Sequence, residues 1–308
     1  MRVLVSGAGG FVGRHLVPRL RAAGHDVVAL RRGAAGGDSV SETFAGPADL
    51  AALDDFPAFP EGIEAIIHLG ALNPQRGDPR RRDLAALRHA NVAGTAALAR
   101  RARREGVSRM ILLGSASVHE AKGTPAREDD PLRPQSPYAI SKAEAESSFR
   151  AGFGPSGTIL RPAAVFGPGC NNAVAALARL AATPLPLPLG GLARPRSLVS
   201  VDSLADVVAL CLASDAALGE TFLVADDAPL TPADIVSIIR HGHRKGPRIL
   251  PAPRALAGLA ARLAGRGDTW RRGRLGLVLD TGHVRSVLGW VPGNARDALR
   301  LMVAEGRF

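Results

Sequence analysis

The residues best suited to chemistry are a tyrosine and a lysine four positions apart, in the segment Tyr138-Ala139-Ile140-Ser141-Lys142. Tyr138 is the only tyrosine of the 308-residue chain, and lysine occurs only at Lys122, Lys142 and Lys245; every other basic side chain apart from histidine is arginine. At i and i+4 of a helix two side chains share one face. An ammonium beside a phenol favours the phenolate and lowers its pKa. The phenol then becomes a proton donor or acceptor usable near neutral pH. Taken alone, the pair is equally compatible with an ordinary helical tyrosine and lysine.

The N-terminus supplies a second constellation. Arg2-Val3-Leu4-Val5 is a short apolar run of the kind found in buried parallel strands. It is followed by Ser6-Gly7-Ala8-Gly9-Gly10-Phe11-Val12-Gly13 and a stretch of helical spacing. In a strand–turn–helix unit of this type, Gly7 permits the tight turn, Gly10 lets backbone approach a pyrophosphate, and Gly13 lets helix pack on strand. The pyrophosphate rests on the helix N-terminus, where free N–H groups and the dipole favour an anion. A second strand, Val27-Val28-Ala29-Leu30, ends in Arg31-Arg32. An acid at that point suits the ribose hydroxyls of NAD, whereas an arginine suits a 2′-phosphate. Arg31 and Arg32 therefore favour NADP, with NAD as the alternative.

The elements that must hold these residues alternate in type. Strand and helix signals interleave over residues 1 to about 165, which predicts an α/β fold with a Rossmann-type, doubly wound parallel sheet. Helices are expected near 12–23, 83–105 and 138–151, and the Gly/Pro-rich segment 33–60 reads as irregular. From residue 170 the pattern changes. Helices are expected over 173–182, 203–213, 254–264 and after Thr231, which is placed to cap a helix with Pro232 in its first turn. Strands are expected at 199–202 and 222–224, with a Pro/Gly loop over 183–196. The organisation that follows is a mainly dinucleotide-binding part, 1–169, and a smaller C-terminal substrate-binding lobe, 170–308, some of whose elements return to the first part.

Composition narrows the classes. No apolar run approaches the ~20 residues of a membrane span, and the first residues read as a strand rather than a secretion signal. Two cysteines, Cys170 and Cys211, are too few for a disulfide framework, which suggests a reducing cytoplasm. No Cys/His cluster has metal-ligand spacing, and His241-Gly242-His243 reads as a solvated loop. The net charge of +11 and sequence pI near 11.1 raise nucleic-acid binding. The basic clusters at Arg76–Arg82 and Arg271–Arg274 carry no interleaved aromatics for base stacking, however, and aromatics make up 4% of the chain. A phosphorylated dinucleotide cofactor accounts for part of the charge more simply.

With both motifs in place, the chain resembles the extended short-chain dehydrogenase/reductase superfamily, in its NAD-dependent epimerase/dehydratase group, nearly end to end. The carrying segments are the Gly7-x-x-Gly10-x-x-Gly13 turn, Ile66-Ile67-His68-Leu69-Gly70-Ala71, Asn91-Val92-Ala93-Gly94-Thr95, Gly114-Ser115-Ala116-Ser117-Val118-His119, Pro137 to Lys142, and Leu160-Arg161-Pro162-Ala163-Ala164-Val165-Phe166-Gly167-Pro168-Gly169. The resemblance implies a catalytic triad of Ser115, Tyr138 and Lys142. It implies cofactor contacts from Gly7, Gly10, Phe11, Val12, Gly13, Arg31, Arg32, Leu69, Gly70, Ala71, Asn91, Tyr138, Lys142, Pro162 and Val165. For substrate it points to Ser117, Asn172 and Arg196, with Arg196 as a diphosphate ligand.

The C-terminal half is most similar to nucleotide-sugar 4-ketoreductases and UDP-hexose 4-epimerases. This implies hydride transfer at C4 of a nucleotide sugar and a homodimer joined through the helices near 83–105 and 138–151. Ala164 stands where nucleotide-sugar enzymes often carry asparagine, which keeps a reductase of a small non-sugar carbonyl open. His119 replaces a usual tyrosine, and Pro47 stands about where many relatives have an adenine-contacting Asp, with Asp49 as the candidate substitute. A non-catalytic cofactor sensor is the remaining alternative, against which the retained Tyr138 and Lys142 argue.

Overall fold

The structure is a computed structural model that describes residues 1–33, 42–75, 77–190, 194–244, 246–251, 262 and 276–306. The expected helix over 254–264, Lys245, Arg76 and the Arg271–Arg274 cluster fall outside those residues, apart from Arg262.

Seven strands form the central sheet: β1 (Arg2–Ser6), β2 (Asp26–Arg32), β3 (Glu42–Gly46), β4 (Ala65–His68), β5 (Arg109–Leu113), β6 (Thr158–Pro162) and β10 (Thr221–Val224). Their order is β10-β6-β5-β4-β1-β2-β3, and every pairing is parallel. Val3, Leu4, Val5, Ile66 and Ile67 are fully buried. A parallel strand covered by helices on both faces must be apolar on both, which is why these segments read as continuous runs. The chain leaves β1 for β2 on one side and later returns to β4 on the other. That reversal opens a crevice at the carboxyl ends of β1 and β4, where ligands bind in open α/β sheets.

Helices cover both faces. On one lie α1 (Phe11–Ala22), α6 (Val201–Ala213) and α8 (Gly282–Leu288), packed over Val3, Val5, Ile67, Ile111 and Phe222. On the other lie α3 (Gly94–Arg104) and α4 (Pro137–Phe153), packed over Leu4, Val28, Ile66 and Leu112. A third core, built from Phe166, Val174, Leu198, Leu230, Ile235 and Leu299, joins α5 (Ala173–Ala182), α7 (Pro232–Gly242) and α9 (Ala295–Ala304). Two small sheets complete the description, β7 (Ala164–Phe166) with β9 (Leu198–Ser200), and β8 (Leu187–Gly190) with β11 (Ile249–Pro251).

Several local expectations are corrected. The segment read as irregular contains β3, which docks on β2 with Arg31 opposite Ala45 and Arg32 opposite Gly46. The Pro/Gly loop contains β8. The strand expected at 199–202 stops at Ser200, whose hydroxyl accepts from the Ser203 amide and starts α6. His241 and Gly242 end α7 rather than lying in a loop. Thr231 and Asp234 form a reciprocal capping box there, the arrangement in which side chain and backbone satisfy two orphan amides. In the helices expected at a dimer seam, Leu87, Ala97, Ala139 and Phe149 turn inward and are fully buried, because α3 and α4 pack on each other and on the sheet, while Leu84, Val92, Ala96 and Ala143 stay part-exposed.

Candidate active site

The glycine-rich turn is shaped by backbone contact. Gly7 has φ +76°, and a Cβ there would lie 2.7 Å from the Gly70 amide nitrogen. At Gly13 a Cβ would lie 2.4 Å from the carbonyl oxygens of Gly7 and Ala8, so only glycine lets α1 settle on the turn. Gly10 is bounded only by the Gly7 oxygen, at 3.1 Å from its would-be Cβ, and Gly9 by nothing within 4 Å. The outer side of the turn is thus bare backbone leading into a helix with no acid in its first turn. A pyrophosphate fits that cradle.

The candidate triad sits at the carboxyl ends of β5 and the start of α4. Ser115 follows β5, its Oγ lies 2.8 Å from Ser117 Oγ and accepts from the Ser117 amide, which fixes the turn. Ser136 caps α4 by accepting from the Ala139 amide, and Pro137 occupies the first turn, so Tyr138 enters the helix at its first residues. Lys142 is buried on that helix, and its Nζ donates to the Leu113 carbonyl at 2.6 Å. Leu113 ends β5 two positions before Ser115. This bond draws the tyrosine–lysine face of α4 toward the serine turn.

The electrostatics differ from the simple spacing argument. Burial pushes the Tyr138 phenol up to about 12, and no lowering by Lys142 offsets it. Burial likewise pushes Lys142 down to about 8, partly countered by Glu146. Desolvation penalises whichever form carries charge, so the site holds a neutral phenol beside a lysine poised near neutrality.

Two polar networks, neither evident in the sequence pattern, hold this arrangement. Thr95 Oγ1 donates to the Asn91 carbonyl at 2.6 Å, so its approach to His68 Nε2 at 3.0 Å makes that nitrogen the donor. His68 Nδ1 is then the acceptor from Ser6 Oγ at 2.5 Å, and Ser6 Oγ accepts from the Gly70 amide. Burial lowers His68 to about 3, which keeps it neutral in that role. Asn91 lies in a π-helical turn, His89–Ala93, between α2 (Leu84–Arg88) and α3. Its amide clamps Leu72 N and O and donates to Ser141 Oγ, which donates to the Tyr138 carbonyl. Asn91, expected among the cofactor contacts, ties the Gly70–Leu72 edge to α4. The second network joins Glu146, Arg161 and His119 beneath Lys142. A buried acid one turn after Lys142 is the sequence signal that spacing alone could have flagged.

The remaining predicted residues are placed as follows. Leu69, Gly70 and Ala71 follow β4, with Leu69 and Gly70 beside Gly7, and the Leu69 amide donates to Ser6 O. Phe11 stacks edge-on against His15, whose Nε2 meets the Pro168 carbonyl at 2.9 Å. That contact brings the loop after Pro162 and Val165 onto α1. Val12 packs part-buried against the α1 side of the core. Arg31 and Arg32 end β2, part-buried and exposed respectively. Asp49, the acid near the expected adenine position, caps the Ala51 amide and pairs with His89 Nε2 at 2.6 Å. Asn172 is the cap of α5: its Oδ1 accepts from Val174 N, and its Nδ2 donates to Val165 O. Arg196 is half-buried, bridged through its backbone to Leu230, and burial lowers its guanidinium from the usual value. Arg196 and Asn172 are joined to each other by no contact among the described residues.

The NAD-dependent epimerase/dehydratase family model matches residues 3–225. A UDP-glucose 4-epimerase from Vibrio cholerae is 31% identical over 94% of this chain and 90% of its own length. A 3-diazoavenalumate denitrifying reductase from a Streptomyces species is 33% identical over 97% of this chain and 99% of its own. Among solved structures, MoeE5 in complex with UDP-glucose and NAD superposes with a TM-score of 0.78 at 25% identity, covering 100% of this chain and 99% of that one. With its glycine turn at the β1–β4 crevice and its Tyr138–Lys142 helix tied to the end of β5, this chain belongs to the NAD-dependent epimerase/dehydratase family and is an oxidoreductase or epimerase of the extended short-chain type.

Proposed function

We propose that the chain reduces a 4-keto group on a nucleoside-diphosphate sugar, with NADPH as the preferred cofactor. The observation that carries this reading is the place of Tyr138 in the first turn of α4, with Lys142 one turn later drawn to the end of β5 by its bond to the Leu113 carbonyl. Reduction of a ketone needs a proton donor at the carbonyl oxygen, and the Tyr138 phenol, kept neutral by burial, suits that role. Bound nicotinamide supplies the hydride. Tyr138 gives its proton to O4. Ser115 hydrogen-bonds the same oxygen and stabilises the charge that develops there. Lys142, charged below about 8, holds the nicotinamide ribose and steadies Tyr138.

Gly7, Gly10 and Gly13 hold the pyrophosphate, and the Leu69–Ala71 edge, Pro162 and Val165 line the nicotinamide side. Arg31 and Arg32 at the end of β2 support NADPH, since an arginine there suits a 2′-phosphate. The named activity of the Vibrio relative and the UDP-glucose bound to MoeE5 support a nucleotide-sugar substrate. Arg196 is assigned to its diphosphate, since a guanidinium fork matches phosphate oxygens.

Purified protein incubated with NADPH and a UDP-linked 4-keto-6-deoxyhexose is expected to oxidise the cofactor and yield the 4-hydroxy sugar. Protein that emerges with tightly held NAD and interconverts UDP-hexoses without net cofactor turnover is an epimerase, and the reading fails.

A second reading, reduction of a small non-sugar carbonyl, is favoured by Ala164, an exposed residue without hydrogen-bonding capacity at a sugar-recognition position. The Streptomyces relative, similar over nearly its full length, carries the name of a reductase with a non-sugar substrate.

A further inference from the structure

A group of charged residues lies on the inner face of α4, below the Tyr138–Lys142 pair. Glu146 follows Lys142 by one helical turn, and both are almost fully buried, at 4% and 3% exposure. Arg161, on β6, binds the carboxylate in a forked manner: Nε reaches the two oxygens at 3.2 and 3.1 Å, and Nη2 reaches Oε2 at 2.8 Å. Arg161 Nη1 also donates to His119 Nε2 and to the Glu128 carbonyl, both at 3.1 Å. A Cβ on Gly114 would lie 2.7 Å from Glu146 Oε1, so the missing side chain at the end of β5 is what admits the carboxylate.

We propose that Glu146 is a positioning residue: its carboxylate, anchored by Arg161, keeps the Lys142 ammonium charged and directed at the end of β5. The argument is one of charge balance. Lys142 Nζ has the Leu113 carbonyl as its hydrogen-bond partner, a neutral dipole that cannot compensate a buried cation. A buried charge without a compensating partner neutralises instead. The groups around Lys142 are few. On α4 itself they are the neutral phenol of Tyr138 and the Glu146 carboxylate. From β4 comes His68, neutral, and from the turn after β5 come Ser115 and the neutral His119. From β6 comes Arg161, whose charge is spent on Glu146. Glu146 is thus the only anion facing Lys142 among the described residues. Were the carboxylate serving Arg161 alone, the pair would sit in a core where apolar residues of like volume generally do as well.

The proposal rests on the assignment of Lys142 to the reaction, but its test requires no substrate. The chain has three lysines, so protein labelled with carbon-13 at the lysine ε position gives three signals, and Lys142→Arg identifies one of them. In the wild type the Lys142 signal is expected to titrate near 8. In Glu146→Gln the midpoint is expected to fall by about one pH unit, the scale for losing an opposite charge at this range. The alkaline limb of the turnover profile should move with it. Should the single variant not fold, E146Q/R161Q strands no charge and should show the same downward direction. A wild-type Lys142 that titrates with the other two lysines, or a midpoint that ignores the loss of Glu146, overturns the proposal. A shifted midpoint in protein that reduces no keto sugar leaves the coupling standing and refutes only the functional reading.

Discussion

Gly7 and Gly70 meet backbone to backbone: a side-chain carbon on Gly7 would lie 2.7 Å from the Gly70 amide nitrogen, at a residue whose φ of +76° already disfavours one. The contact locks the phosphate turn to the end of β4, and the Gly70 amide continues into the Ser6–His68 chain. Because the obstacle is main chain rather than a flexible side chain, it cannot give way without moving a strand.

Gly7→Ala is therefore expected to destabilise the fold by about 1–3 kcal/mol, the scale for a non-glycine residue forced into a sparse backbone region. It should also weaken cofactor binding. Chemical denaturation and NADPH titration check the two effects, and an alanine variant matching wild type in both contradicts the geometry.

Tyr138→Phe removes the proton donor and little else, since the phenol hydroxyl has no hydrogen-bond partner among the described residues. Turnover should drop by about 10²-fold or more, the scale for a lost general acid, while NADPH still binds. Steady-state kinetics beside a fluorescence titration separate the two, and turnover within a few-fold of wild type removes Tyr138 from the reaction.

The depressed pKa of Lys142 has a thermodynamic consequence. The folded state holds this lysine near 8, against 10.5 for the ordinary side chain. Between those values the unfolded chain binds more protons than the folded one, so stability rises with pH across that window. The cost of burying the charge is fully present below about 8. Denaturation from pH 7.5 to 10 should show Lys142→Met losing this upward slope relative to wild type. Parallel profiles for the two proteins would mean that the lysine keeps its ordinary pKa in the fold.

Much of this was legible in the sequence where the signal is local. The glycine turn, the apolar strands β1 and β2, and the α4 pair all follow from spacing within one element. What escaped depends on pairing across the chain. β3 is an edge strand, partly exposed along its length, and holds to β2 through backbone bonds that composition does not encode. Glu146 and Arg161 are adjacent only because β6 runs beside β5 under α4. The Tyr138 phenol moved opposite to expectation because burial, a property of the whole fold, outweighed the neighbouring lysine. Asn172 and Asp49 also cap the helical turns that follow them, bonds that their sequence neighbourhood does not announce.

Cofactor choice turns on the end of β2. Arg31→Asp should weaken NADPH and improve NADH, because it exchanges a partner for the 2′-phosphate for one suited to the ribose hydroxyls. Paired titrations of both cofactors read the switch. Wild-type protein that binds NADH more tightly than NADPH contradicts the role given to Arg31 and Arg32.

Substrate class turns on Arg196. It leads into β9 after a Pro/Gly segment, with its backbone fixed to Leu230 in both directions and its guanidinium depressed by burial. A partly desolvated guanidinium binds a diphosphate more strongly than an exposed one, because the bond replaces less water. UDP should bind in the presence of NADPH, and Arg196→Ala should weaken it by about 1.5–3 kcal/mol, the range for hydrogen bonds to a charged group. Calorimetric titration measures this directly, with NADPH affinity as the control for folding. If no nucleoside diphosphate binds at millimolar concentration while NADPH does, the nucleotide-sugar assignment falls. Ala164 then becomes the informative residue, and the search for substrate moves to small carbonyl compounds without a phosphate.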